Sequence, residues 1–149
     1  MTILIAIDGV MRDGPRLIRE GRILFEVFHQ ADRRIVFLSD EETAKTEHWL
    51  AQSGIRGHSG VLSPSVAIDD GEPLRERQIS VARSMGHVDL VIDGDPETIR
   101  HCLDIEVPAL LFAHARASKP GWRPDGNRRT WAEIQEQIDR KKLKEFVDG

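Results

Sequence analysis

Thr2-Ile3-Leu4-Ile5-Ala6-Ile7-Asp8-Gly9 is the stretch that decides the fold. It is a short, β-branched, nearly continuous apolar run from Thr2 to Ile7 that breaks abruptly into Asp8 and Gly9. A run without polar alternation suits a strand buried on both faces of a parallel sheet. Asp8 then falls at the carboxyl end of that strand. Gly9, Val10, Arg12, Asp13, Gly14 and Pro15 read as a loop.

Working outward, Arg16 to Ala31 is expected as a helix, because Leu17, Ile18, Leu24, Phe25 and Phe28 recur at helical spacing. Gly21 should weaken it by about 1 kcal/mol relative to alanine. Arg34 to Leu38 is a second buried strand that ends at Ser39. Asp40 to Gln52 reads as a helix with Ala44, Trp49 and Leu50 inward and Gly54 as its stop. Gly57 to Glu72 is loop-like, with a short strand at Ser65 to Ile68. Pro73 to Met85 is a third helix, bounded by proline and by Gly86. Val88 to Ile92 is a strand ending at Asp93. Asp95 and Pro96 then read as an N-cap and first helical residue of a short helix to Leu103. Pro108 to Phe112 is a fourth strand. Beyond a polar loop from Arg116 to Arg129, Thr130 to Glu133 forms a capping box for a final helix, striped by Trp131, Ile134 and Ile138. Strands alternating with helices predict an α/β fold, a Rossmann-like three-layer sandwich with a mainly parallel sheet. Residues 1–149 are expected to form one domain.

Composition agrees with a globular chain. Hydrophobic residues make up 40% and charged residues 31% of 149 residues, enough to bury a core without metal or disulfide. The net charge of -4 excludes a surface that is basic throughout. The lone Cys102 permits no internal disulfide and reads as a small core residue. The six histidines show no metal-ligand spacing. Apolar runs are too short to span a bilayer, and the N-terminal run lacks the flanks of a signal peptide. No membrane partner and a cytoplasmic location are therefore expected.

Asp8, Ser39 and Asp93 each follow a buried strand, and ligands of open parallel sheets bind beyond the carboxyl ends of the strands. Helix N-termini there suit a phosphate, and paired carboxylates suit Mg²⁺. Each residue also has a local reading: Asp8 as a turn residue, Ser39 and Asp95 as N-caps.

These residues carry a resemblance. Ile3 to Met11 resembles the first motif of the haloacid-dehalogenase (HAD) superfamily of phosphatases, an apolar strand followed by Asp-x-Asp-Gly-(Thr/Val)-Leu. Ile35 to Ser39 is similar to the second motif. Leu90-Val91-Ile92-Asp93-Gly94-Asp95-Pro96 is similar to the fourth. The likeness spans Thr2 to His114, with a looser likeness to small HAD-like proteins of actinobacteria and their phages. It implies a HAD-like fold without a cap domain, an open site and bulky phosphorylated partners. It further implies that Asp8 is the catalytic acid/base, and that Asp8 and Asp93 hold Mg²⁺. Ser39 would bind phosphate together with Arg77 or Arg75, in place of the family's lysine.

The departures matter as much. The position of the family's nucleophilic aspartate is Ala6, and one acidic position of the fourth motif is Gly94. Loss of a nucleophile costs about 10⁴- to 10⁶-fold in rate, and fewer carboxylates weaken Mg²⁺ binding. Three readings follow. One is a HAD-like protein, catalytically weak or inactive, that binds a phosphorylated small molecule or macromolecule. Another is an active Mg²⁺-dependent phosphohydrolase acting on nucleotides or nucleic-acid ends. The third is a structural or interaction subunit of an assembly. Arg116, Lys119, Arg123, Arg128 and Arg129 beside Trp122 could grip nucleic acid, or form a solvated surface loop.

Overall fold

The computed structural model describes residues 1–66, 71–115, 119–122, 135–136 and 138–143. They fall into two compact units, Met1–Ala117 and Ser118–Gly149. The first unit holds β1 (Thr2–Ala6), a hairpin of β2 (Arg12–Asp13) and β3 (Arg16–Leu17), α1 (Arg19–Gln30), β4 (Arg34–Leu38) and α2 (Thr43–Gln52). It continues with β5 (Gly60–Leu62), a 3₁₀ turn at Pro64–Val66, α3 (Leu74–Met85), β6 (Val88–Asp93), α4 (Pro96–Asp104) and β7 (Ala109–Leu111). In the second unit the described residues are a 3₁₀ turn at Pro120–Trp122 and helical residues within 135–143.

The main sheet has the order β5-β4-β1-β6-β7, and all of its pairings are parallel. The fold is thus the expected α/β sandwich. Pleating explains the layers, since successive side chains point to opposite faces. Ile3, Ile5 and Ile7 of the β1 segment join Ile35 and Phe37 of β4 in one core, closed by Phe25 of α1 and Leu50 of α2. Leu4, Val36, Leu38 and Val91 face the other way, onto Ile79 and Ala82 of α3 and Cys102 of α4. Burying each large side chain contributes about 1.5–3 kcal/mol. From β1 the chain winds outward through β4 and β5, then crosses back to β6 and β7. The switch point therefore lies between β1 and β6, the strands that deliver Asp8 and Asp93.

Several local expectations are corrected. The helix expected from Arg16 begins at Arg19, because Arg16 and Leu17 pair with Asp13 and Arg12 across a turn at Gly14, whose φ is 57°. The strand after α2 is Gly60–Leu62, parallel to β4, while Pro64–Val66 within the expected Ser65–Ile68 strand lies in a 3₁₀ turn. Ala67, Ile68, and the capping box Thr130–Glu133 lie outside the described residues, as do Arg116, Arg123, Arg128 and Arg129. Among the described residues no helix is long and apolar enough to cross a membrane.

Candidate functional site

Register brings the site together. Ala6 pairs with Leu38, and Ile5 with Ile92, so Ala6 sits level with Leu38 and Asp93 at the carboxyl ends of adjacent strands, and Ser39 follows one residue beyond that level. Ala6 is fully buried. The position that the sequence resemblance matches to a nucleophilic aspartate therefore carries only a methyl group.

After Ile7 the chain turns tightly. The Met11 and Arg12 N–H groups both donate to the Ile7 carbonyl, at 2.9 and 3.0 Å, and Gly9 takes a φ of 90° that favours glycine. This turn packs on α1 at Gly21. A Cβ there would lie 1.8 Å from the Val10 carbonyl oxygen, so glycine is required by close approach. The turn also aims Arg12 back at the strand end. Its Nε donates to Asp8 Oδ1 at 2.9 Å, its Nη2 reaches Glu41 at 3.4 Å, and its guanidinium lies 5.2 Å above the Trp49 ring. The Trp49 indole N–H donates to the Pro15 carbonyl at 3.1 Å, which ties the hairpin to α2. Arg12 is almost wholly buried; burial works against its charge, but Asp8 and Glu41 together hold its pKa above the ordinary value.

A second bridge stands on the β6 side. Arg75 Nε donates to Asp93 Oδ2 at 3.1 Å, its Nη2 to Asp40 Oδ1 at 2.9 Å, and its Nη1 to Gln78 Oε1 at 2.6 Å. Buried Gln78 in turn donates to the carbonyls of Ser39 and Leu62, fixing the ends of β4 and β5. The other Asp93 oxygen accepts the Asp95 N–H at 3.1 Å. Burial nevertheless raises the Asp93 pKa above 3.8, outweighing Arg75 and the Asp95 N–H.

Other expected residues have different surroundings. Ser39 is fully buried, and its Oγ is shared with Thr46 at 2.6 Å and accepts the Glu41 N–H at 3.0 Å. Its hydroxyl thus closes the turn into α2 rather than facing out of the edge. Arg77 donates to the Val66 carbonyl at 3.2 Å; the arginine brought to the strand end is Arg75. Asp95 caps α4, accepting the Glu97 N–H. Nothing in the sequence alone marks Arg12, Asp40, Trp49 and Gln78 as site residues.

The donor set does not fit Mg²⁺. That ion needs near-octahedral oxygen ligands at about 2.0–2.1 Å. Ala6 offers none, while the Asp8 and Asp93 carboxylates are each committed to a guanidinium. Among the described residues no group of three or more His, Cys, Asp or Glu could hold a metal ion.

In the second unit, Lys119 Nζ lies 5.2 Å over the Trp122 ring. A cleft of about 510 Å³, lined by Arg83, His87, Asp89 and Glu106 among others, lies at the amino end of β6, opposite Asp93.

No protein-family model and no curated protein matches the chain. Its fold is similar to that of a chain in the Pnkp1/Rnl/Hen1 RNA repair complex, with a TM-score of 0.61, 13% identity, and coverage of 76% of this chain and 42% of that one. It is also similar to an uncharacterized protein from Corynebacterium glutamicum, with a TM-score of 0.54, 15% identity, and coverage of 78% and 88%. The present chain thus spans less than half of the RNA-repair chain. At these identities the likeness shows the fold.

Proposed function

We propose that this chain is a HAD-like protein that has lost phosphoryl-transfer chemistry and acts by binding a macromolecular partner. The observation that carries the reading is Ala6, buried at the end of β1 beside a strand edge that keeps Asp8 and Asp93. A methyl group forms no acyl-phosphate. Asp8, held by Arg12, has no covalent intermediate to serve as acid or base. A binding role for a free phosphate ester is less well supported than a macromolecular one. Asp8, Asp40, Glu41, Asp93 and Asp95 outnumber Arg12 and Arg75 at the edge, so an incoming dianion meets surplus negative charge. Shared architecture with a chain of an RNA repair assembly makes membership of an assembly a natural context, and Lys119 over Trp122 in the second unit offers a cation and an aromatic face.

The test is turnover on a panel of aryl phosphates, nucleotides and phosphorylated nucleic-acid ends with Mg²⁺. The reading expects the full chain and Asp8→Asn to be equally inactive. Mg²⁺-dependent hydrolysis that disappears in Asp8→Asn would establish instead the active phosphohydrolase that Asp8 and Asp93 alone suggest.

A further inference from the structure

We propose that Arg12 and Arg75 stand in for a divalent cation at the carboxyl edge of the sheet, closing it as two carboxylate–guanidinium bridges that exclude Mg²⁺. The inference rests on the HAD-like reading above, which supplies the expectation of a metal.

The argument begins with charge. Asp8 and Asp93 flank the switch point of a parallel sheet, and two carboxylates drawn to one edge need positive charge nearby. One Mg²⁺ would supply two positive charges, and so do two guanidinium groups. Each arginine straddles one strand-end carboxylate and one acid from the entry into α2: Arg12 joins Asp8 to Glu41, and Arg75 joins Asp93 to Asp40. Asp40 and Glu41 are adjacent residues that follow Ser39 at the end of β4, so the two bridges meet at one turn. That turn is fixed from below by Ser39 and Gln78.

Geometry makes the replacement exclusive. Asp93 Oδ2 takes Arg75 and Oδ1 takes the Asp95 N–H, so both of its oxygens already have donors. Both guanidiniums are largely buried, at 6% and 14% side-chain exposure, so neither can swing into water without uncovering the core. Arg12 is further held by Trp49 and Arg75 by Gln78. A divalent ion would have to expel a donor from Asp93 and, at Asp8, share the carboxylate with Arg12, settling beside two fixed guanidiniums. At Ala6 it would find a methyl group.

The experiment is a titration of Mn²⁺, a spectroscopic substitute for Mg²⁺, into the full chain, followed by the electron paramagnetic resonance signal of the free ion. Unmodified protein is expected to leave that signal as it is in buffer, and MgCl₂ is expected to leave the melting midpoint where NaCl of equal ionic strength leaves it. Stoichiometric Mn²⁺ uptake that is lost in Asp8→Asn or Asp93→Asn overturns the inference. The double variant Ala6→Asp/Arg12→Gln restores a carboxylate and removes a cation, and is expected to take up Mn²⁺. A folded double variant that ignores Mn²⁺ also overturns it; if that variant does not fold, the unmodified chain decides. Mn²⁺ uptake without any hydrolysis would sink this inference while leaving the loss of phosphoryl transfer standing.

Discussion

Arg75 Nε lies 3.1 Å from Oδ2 of Asp93, joining the first turn of α3 to the last residue of β6 across the carboxyl edge of the sheet. Asp93 is nearly inaccessible to water, so this contact decides whether its charge is compensated. Arg75→Gln should lower the unfolding free energy by about 3 kcal/mol, the usual consequence of leaving a buried charge unpaired. Asp93→Asn in that background should recover part of the loss. Urea titrations of the single and double variants measure both; an Arg75→Gln change with no effect would show that the bridge is superficial.

Asp93 also sets a pH dependence. Burial raises its folded-state pKa above the ordinary 3.8, Arg75 and the Asp95 N–H opposing. The folded state therefore holds this proton more tightly than the unfolded chain does. The associated stability is fully present below about 3.8 and is lost as pH rises through the folded value. Asp93→Asn lacks this titration, so its stability relative to the unmodified chain should climb as pH rises through that window. Chemical unfolding at a series of pH values checks the sign; a fall instead of a climb would mean that Arg75 outweighs burial.

Gly21 presents a conflict between propensity and packing. In an exposed helix, Gly→Ala stabilises by about 1 kcal/mol. Here the new methyl would drive into the Val10 carbonyl, and backbone cannot step aside as a side-chain tip can. Gly21→Ala should therefore destabilise the chain by about 2 kcal/mol, an overpacking cost, and displace the turn that carries Asp8 and Arg12. Thermal unfolding with amide exchange across residues 8–12 reads both effects.

Cys102 is sealed in the α3/α4 core, where burial, reinforced by the Asp93 charge, pushes its thiol up to about 11. At neutral pH it should resist a thiol-specific reagent in the native state and react only as fast as the core opens. Labelling as fast as a free thiol would place Cys102 outside that core.

Much of this was legible in the sequence, and the reasons are physical. The strands β1, β4 and β6 are mostly apolar runs because both faces of the sheet are covered, and the runs break visibly at Asp8, Ser39 and Asp93. The hairpin was not legible, because two residues per strand carry no period and its hold comes from Trp49 on Pro15. Within the site, a signal existed for Arg75. Arg75, Gln78, Ile79 and Ala82 follow the i, i+3, i+4, i+7 stripe of α3, and Gln78, Ile79 and Ala82 are buried. Arg77 lies off that stripe. Arg12 could not be read in the same way, because its direction is set by a turn whose hydrogen bonds return to Ile7. Ser39 shows the converse limit. Its place at a strand end was readable, but its hydroxyl is engaged by Thr46, seven residues on.

The most direct measurement is a crystal structure of the full chain grown with Mn²⁺ and inorganic phosphate, with the metal located by its anomalous scattering. The account predicts no metal peak at the strand edge, a methyl group at Ala6, and Arg12 and Arg75 still seated on Asp8 and Asp93. A Mn²⁺ ion shared by Asp8 and Asp93, with the two guanidiniums displaced and phosphate bound beside it, would contradict it.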